Sequence, residues 1–164
     1  MRIFELAVTL LSALPLPPAF PAASGIEQCS DVVVEVVGVE GEPGRELGVV
    51  RITNRGGQPR DYEVYGPSPE LGVPVLHINH YSVYWLEPNA SSWKYTFTIG
   101  EARAGRGTVR IEPGESKLMV ASIAKPYEPD APPVEAIMID LKSRKPQCET
   151  RSGSVRLSEL RKYP

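Results

Sequence analysis

Beyond residue 30 the chain is a succession of short apolar runs broken by turn residues. The first, Val32-Val33-Val34-Glu35-Val36-Val37-Gly38-Val39, is rich in β-branched side chains, which restrict χ1 and suit a pleated backbone. It stops at Glu42-Pro43-Gly44. Leu47 to Thr53 sets Val50 and Ile52 against Arg51 and Thr53, and ends at Asn54-Arg55-Gly56-Gly57. Asp61 to Tyr65 is a shorter run before Gly66-Pro67-Ser68-Pro69, and the aromatic-rich stretch Val75 to Leu86 stops at Pro88-Asn89. Trp93, Tyr95, Phe97 and Ile99 then alternate with Lys94, Thr96 and Thr98, the period-2 pattern of a strand with one buried face.

Gly107 to Glu112, Lys117 to Ala124 and Val134 to Leu141 continue the series. Glu112-Pro113-Gly114-Glu115 has Pro and Gly where a type II turn needs them, the Gly at positive φ. Ser154 to Leu157 predicts a last edge strand, with Leu157 to Tyr163 as a frayed helical turn in its place. Eight or nine strands at this spacing, with no amphipathic helical period, predict an all-β antiparallel sandwich with Greek-key connections and one disulfide. The 17 Pro and 14 Gly fit its loops, because apolar residues stay abundant between them.

Composition adds compartment and excludes classes. Residues 1–24 have Arg2 as a basic start, an apolar run from Leu6 to Leu16 and small residues at Ala22, Ala23 and Ser24. This layout predicts a signal peptide, leaving residues 25–164 as one domain in the periplasm or outside the cell. The apolar run is shorter than the roughly 20 residues that cross a bilayer, so no membrane insertion is expected after cleavage. Cys29 and Cys148 are the only cysteines, and an even pair in an exported chain predicts a disulfide. A net charge of −2 gives no basic face for nucleic acid. Glu27 to Glu46 holds six acids and one base, whereas Lys142 to Lys162 holds seven bases and two acids. The bridge should therefore bring an acidic first strand beside a basic last one, with charges partly compensated.

The Val-rich opening strand, Thr53-Asn54 before Gly-Gly, the aromatic middle with Trp93, and Ile111-Glu112-Pro113-Gly114-Glu115-Ser116 opening a late strand give a familiar order. It resembles bacterial extracytoplasmic domains with immunoglobulin-like or fibronectin type III-like sandwiches. The resemblance implies architecture and carries no functional residue. The cysteines depart from the antibody pattern, lying near the chain ends instead of flanking a central tryptophan.

Candidate chemistry concentrates in Leu76-His77-Ile78-Asn79-His80-Tyr81-Ser82-Val83-Tyr84-Trp85, which holds both histidines. Copper or zinc could use His77 and His80 with Glu87 or Met119. On a strand these histidines point to opposite faces, and they converge only if Ile78-Asn79-His80 bends. His77, His80, Tyr81, Tyr84 and Trp85 are candidate contacts for a ligand or partner, although Tyr81, Val83 and Trp85 share one strand face in the manner of a core; Tyr84 is expected exposed, and Trp93 and Phe97 are expected in the core. The loops Pro67–Gly72 and Pro126–Pro133 are a second contact surface. Asn89-Ala90-Ser91 is a glycosylation sequon. No nucleophile elbow, zinc-protease motif or phosphate loop occurs, so no enzyme and no cofactor are expected. The sequence predicts a non-catalytic domain that binds a protein partner, with carbohydrate binding and copper or zinc binding as alternatives.

Overall fold

The computed structural model describes residues 27–41, 46–67, 76–98, 106–124 and 134–162. The leader region, Ile99, the loops after Pro67 and around Pro126–Pro133, and the burial of the Phe97 side chain lie outside this description. Among the described residues twelve strands run in chain order: β1 Val32–Glu40, β2 Leu47–Asn54, β3 Arg60–Pro67, β4 Leu76–Ile78, β5 Tyr81–Leu86, β6 Lys94–Thr98, β7 Arg106–Ile111, β8 Ser116–Ser122, β9 Ala136–Ser143, β10 Cys148–Arg151, β11 Val155–Arg156 and β12 Arg161–Lys162. A 3₁₀ turn at Leu157–Glu159 links the last two. The fold is all-β and sandwich-like, with one sheet ordered β12-β1-β2-β8-β4-β3-β7 and the other β10-β9-β5-β6, β11 pairing onto β9. Pairing is antiparallel except for β1 with β12 and β4 with β8. No helix among the described residues is long and apolar enough to cross a membrane.

Alternation places the core. Val32, Val34, Val50, Ile52, Tyr62, Val64, Ile111 and Met119 of the larger sheet meet Tyr81, Val83, Trp85, Ile137, Ile139 and Leu141 of the smaller one. Each such side chain removed from water contributes about 1.5–3 kcal/mol. Two aromatic tips tie the sheets together by polar contacts: the Tyr81 hydroxyl donates to the Ser122 carbonyl at 3.1 Å, and Trp85 Nε1–H to the Ile123 carbonyl at 3.2 Å. Trp93, expected in the core, is half-buried.

Asn54 ends β2 by satisfying its neighbours. Its side chain is fully buried; Nδ2 donates to the carbonyls of Gln58 and Ile111 at 2.8 and 3.0 Å, and Oδ1 accepts from Gly56 N–H at 3.0 Å. That Asx turn closes the loop into β3 and pins the end of β7 beside the start of β8. The Glu112–Glu115 turn forms as expected, with Gly114 at φ 79° and Glu115 N–H on the Glu112 carbonyl at 2.9 Å.

The first and last described segments meet through Cys29–Cys148, which joins the segment before β1 to β10 with Cα atoms 5.3 Å apart and a sequence separation of 119. Backbone bonds reinforce it: Cys29 N–H donates to the Glu149 carbonyl at 2.7 Å, and Glu149 N–H to that of Glu27 at 2.8 Å. The basic last strand does lie beside the acidic first one, with Gly38 and Val39 of β1 opposite Arg161 and Lys162 of β12, but the ion pairs take other partners. Asp31 pairs with Arg60 and Glu35 with Arg51, while Lys142, Arg144, Arg151 and Arg156 pair with Glu149, Glu63, Asp140 and Glu135. Three of these pairs, Glu35–Arg51, Lys142–Glu149 and Arg151–Asp140, are register partners on adjacent strands, where side chains directly opposite lie closest.

Candidate functional site

The stretch Val75 to Leu86, read as one strand, is two. β4 belongs to the larger sheet and β5 to the smaller, and the chain changes sheets at Asn79-His80. His80 takes φ 57°, a left-handed conformation uncommon for a residue with a Cβ and tolerated best by Asn, Asp and His. Asn79 anchors the bend by donating its backbone N–H to the Glu63 carbonyl at 2.9 Å. β3 has lost its β4 partner at this level, and the β9–β10 turn takes the place. Arg144 N–H donates to the Asp61 carbonyl at 2.7 Å, and Asp61 N–H to that of Lys145 at 3.2 Å.

This junction holds an open cleft of about 410 Å³ lined by Glu63, His80, Lys142, Arg144 and Gln147. Glu63 is its hub. One carboxylate oxygen lies 2.7 Å from His80 Nε2 and 3.4 Å from Asn79 Nδ2; the other accepts from Arg144 Nη1 at 2.9 Å. Lys142 reaches Glu149 at 3.0 Å. Arg144 is 59% exposed, so the cleft presents a cationic rim to solvent above a half-enclosed acid. Its described lining supplies carboxylate, imidazole, ammonium, guanidinium and amide, and no hydroxyl or thiol nucleophile.

The histidines do not form a ligand pair. The bend brings both over β3, where His77 stacks on Tyr65 with ring centroids 4.8 Å apart while His80 engages Glu63, two residues earlier on the same strand. Among the described residues no group of three His, Cys, Asp or Glu is placed to hold a metal ion. Burial pushes the Tyr65 hydroxyl above its usual pKa.

Of the contact aromatics, the face shared by Tyr81, Val83 and Trp85 is core, and Tyr84 departs from expectation. Tyr84, expected exposed, is 9% exposed on the opposite face of β5. There Arg151 of β10 lies over its ring at 5.0 Å while forking onto Asp140 with two bonds of 2.7 Å. Burial first, then the Asp140 carboxylate, push the Tyr84 pKa up to about 12. A strand the sequence did not suggest, β10, supplies the arginine that covers the ring.

A second groove, of about 280 Å³, flanks the disulfide on the other side of Gln147 and is lined in part by Asp31, Arg60 and both cysteines. Arg60 Nη2 lies 2.6 Å from each Asp31 oxygen, and Nη1 lies 3.5 Å from Cys148 Sγ. This contact with Arg60 holds the Asp31 carboxyl below its ordinary pKa. Gly56 makes room for the pair, since a Cβ there would collide with the Asp31 carboxylate. Sequence reasoning missed Glu63, Arg144, Asp31 and Arg60. The one available signal was Asp61, Glu63 and Tyr65 alternating with Tyr62 and Val64, which turns two acids outward together.

No protein-family model matches the chain, and no curated protein does. Among solved structures, the crystal structure of Spo0M, a sporulation control protein from Bacillus subtilis, is similar at 15% identity with a TM-score of 0.37. The match covers 82% of this chain and 50% of that one, so the chain spans about half of Spo0M.

Proposed function

We propose that this chain is an exported, non-catalytic sandwich of the immunoglobulin-like, Greek-key class that binds a protein partner through the crossover cleft, where the partner presents a carboxylate-bearing segment. The observation that carries the reading is the convergence of His80, Lys142 and Arg144 from two elements around Glu63 in an open cleft. Donor groups dominate this lining, and a guanidinium recognises a carboxylate by paired N–H···O bonds. Strands that change sheets between β4 and β5 and between β6 and β7 support the class. The disulfide supports an oxidising compartment.

Arg144→Glu tests the site. Binding of immobilised aspartate- and glutamate-containing peptides should fall at least tenfold relative to the native chain and to a Lys94→Glu control. Equal binding by all three would refute the cleft. N-terminal sequencing of the exported chain tests compartment, with Gly25 expected as the first residue.

A further inference from the structure

We propose that the crossover cleft is acid-gated, with Glu63 competing against the partner's carboxylate for Arg144 until protonation of His80 satisfies it. The gate rests on the cleft's reading as a carboxylate-binding surface and adds its regulation. His80 Nε2 lies 2.7 Å from one Glu63 oxygen. An ionised carboxylate only accepts, so neutral His80 makes this contact with its proton on Nε2, and a second proton enters at Nδ1. The His80 side chain is 38% exposed, which leaves it open to protons from solvent.

The charged groups around the imidazole give the sign. β3 presents Glu63, while Tyr65, two residues on, is occupied by His77 of β4. The β9–β10 turn presents Arg144, which shares Glu63 at 2.9 Å. β9 presents Lys142, which reaches Glu149 of β10 at 3.0 Å. With His80 neutral, two acids balance two bases, and an incoming carboxylate must compete with Glu63 for Arg144. Protonation adds one positive charge and gives Glu63 a second cation, so Arg144 can turn to the partner. Across water at contact range, one added charge corresponds to about fivefold in affinity. Histidine changes charge between about pH 5 and pH 8, where aspartate and glutamate side chains of a peptide are ionised. Binding is therefore stronger where His80 is protonated and weakens as pH rises through the imidazole range.

The test measures binding of the full chain to the aspartate- and glutamate-containing peptides from about pH 5.5 to about pH 8 at fixed ionic strength. The native chain should bind about fivefold more tightly at the acid end. His80→Asn keeps a residue that tolerates φ 57° and removes the titration, so its binding should be flat. His77→Gln removes the chain's other histidine and should keep the native slope. Glu63→Gln should bind more tightly than the native chain at the alkaline end, because Arg144 then has no internal carboxylate. NMR titration of the native His80 ring reads the coupling without a variant. Bound peptide should move its protonation to higher pH, since linkage is reciprocal. Equal native binding at both ends would overturn the gate while the cleft reading stands. So would a slope that survives in His80→Asn or vanishes in His77→Gln, weaker binding by Glu63→Gln, or a His80 titration unmoved by peptide. No binding at any pH would overturn both.

Discussion

The disulfide groove and the crossover cleft lie on either side of Gln147 and use the same kinds of groups: an outward acid on or near β3, an arginine, and the β9–β10 turn. In the groove, Arg60 is almost sealed and Asp31 grips it with both oxygens. In the cleft, Glu63 is the half-enclosed member while Arg144 stands mostly in water and shares the acid with His80 and Asn79. A buried cation without its partner is strongly destabilising, whereas an exposed one loses little. The groove is therefore a structural joint, and the cleft, proposed as the partner-binding surface, is one that the fold can do without.

The largest expected effect tests the joint. Replacing both cysteines by alanine should lower unfolding stability by up to about 4–5 kcal/mol in the chain-entropy account, measured by urea unfolding. Arg60→Met comes next, at about 1.5–3 kcal/mol, because it removes the charge-assisted hydrogen bonds to Asp31. Arg144→Ala should cost less than about 1 kcal/mol in the same assay, so similar losses for the two arginines would erase the distinction.

The smallest effect is in acid. Asp31 and Asp61 both titrate below their ordinary value of 3.8, held down by Arg60 and by Arg110. A folded pKa below the unfolded one means stability that is present above about pH 4 and lost as pH falls through the folded values. Thermal melts from pH 5 to pH 2 should show this decline, and Asp31→Asn should flatten it. Added salt should weaken the Asp61 share more, because its partner Arg110 is largely exposed.

The sequence made the strands legible where one face is apolar and the other polar, as in β2, and made the bridge legible because only two cysteines exist. It misjudged Tyr84 for a physical reason. Alternation with Tyr81, Val83 and Trp85 placed its ring on the outer face correctly, but outer does not mean exposed once Arg151 and Asp140 cover it. β10 escaped notice because Cys148-Glu149-Thr150-Arg151 offers four residues with little apolar pattern. Apart from His80 and the outward alternation of Glu63, the cleft was illegible, since Glu63 and Arg144 stand 81 positions apart and meet only through the sheet crossover.

The most direct test of the central claim uses the native chain, Arg144→Glu and Arg60→Met side by side. Each is measured for binding to the acidic peptides and for unfolding in urea. Arg144→Glu should lose binding at least tenfold with stability nearly unchanged, and Arg60→Met should lose stability while its folded fraction still binds. Binding retained by Arg144→Glu, or lost in proportion to stability in both variants, would contradict the account.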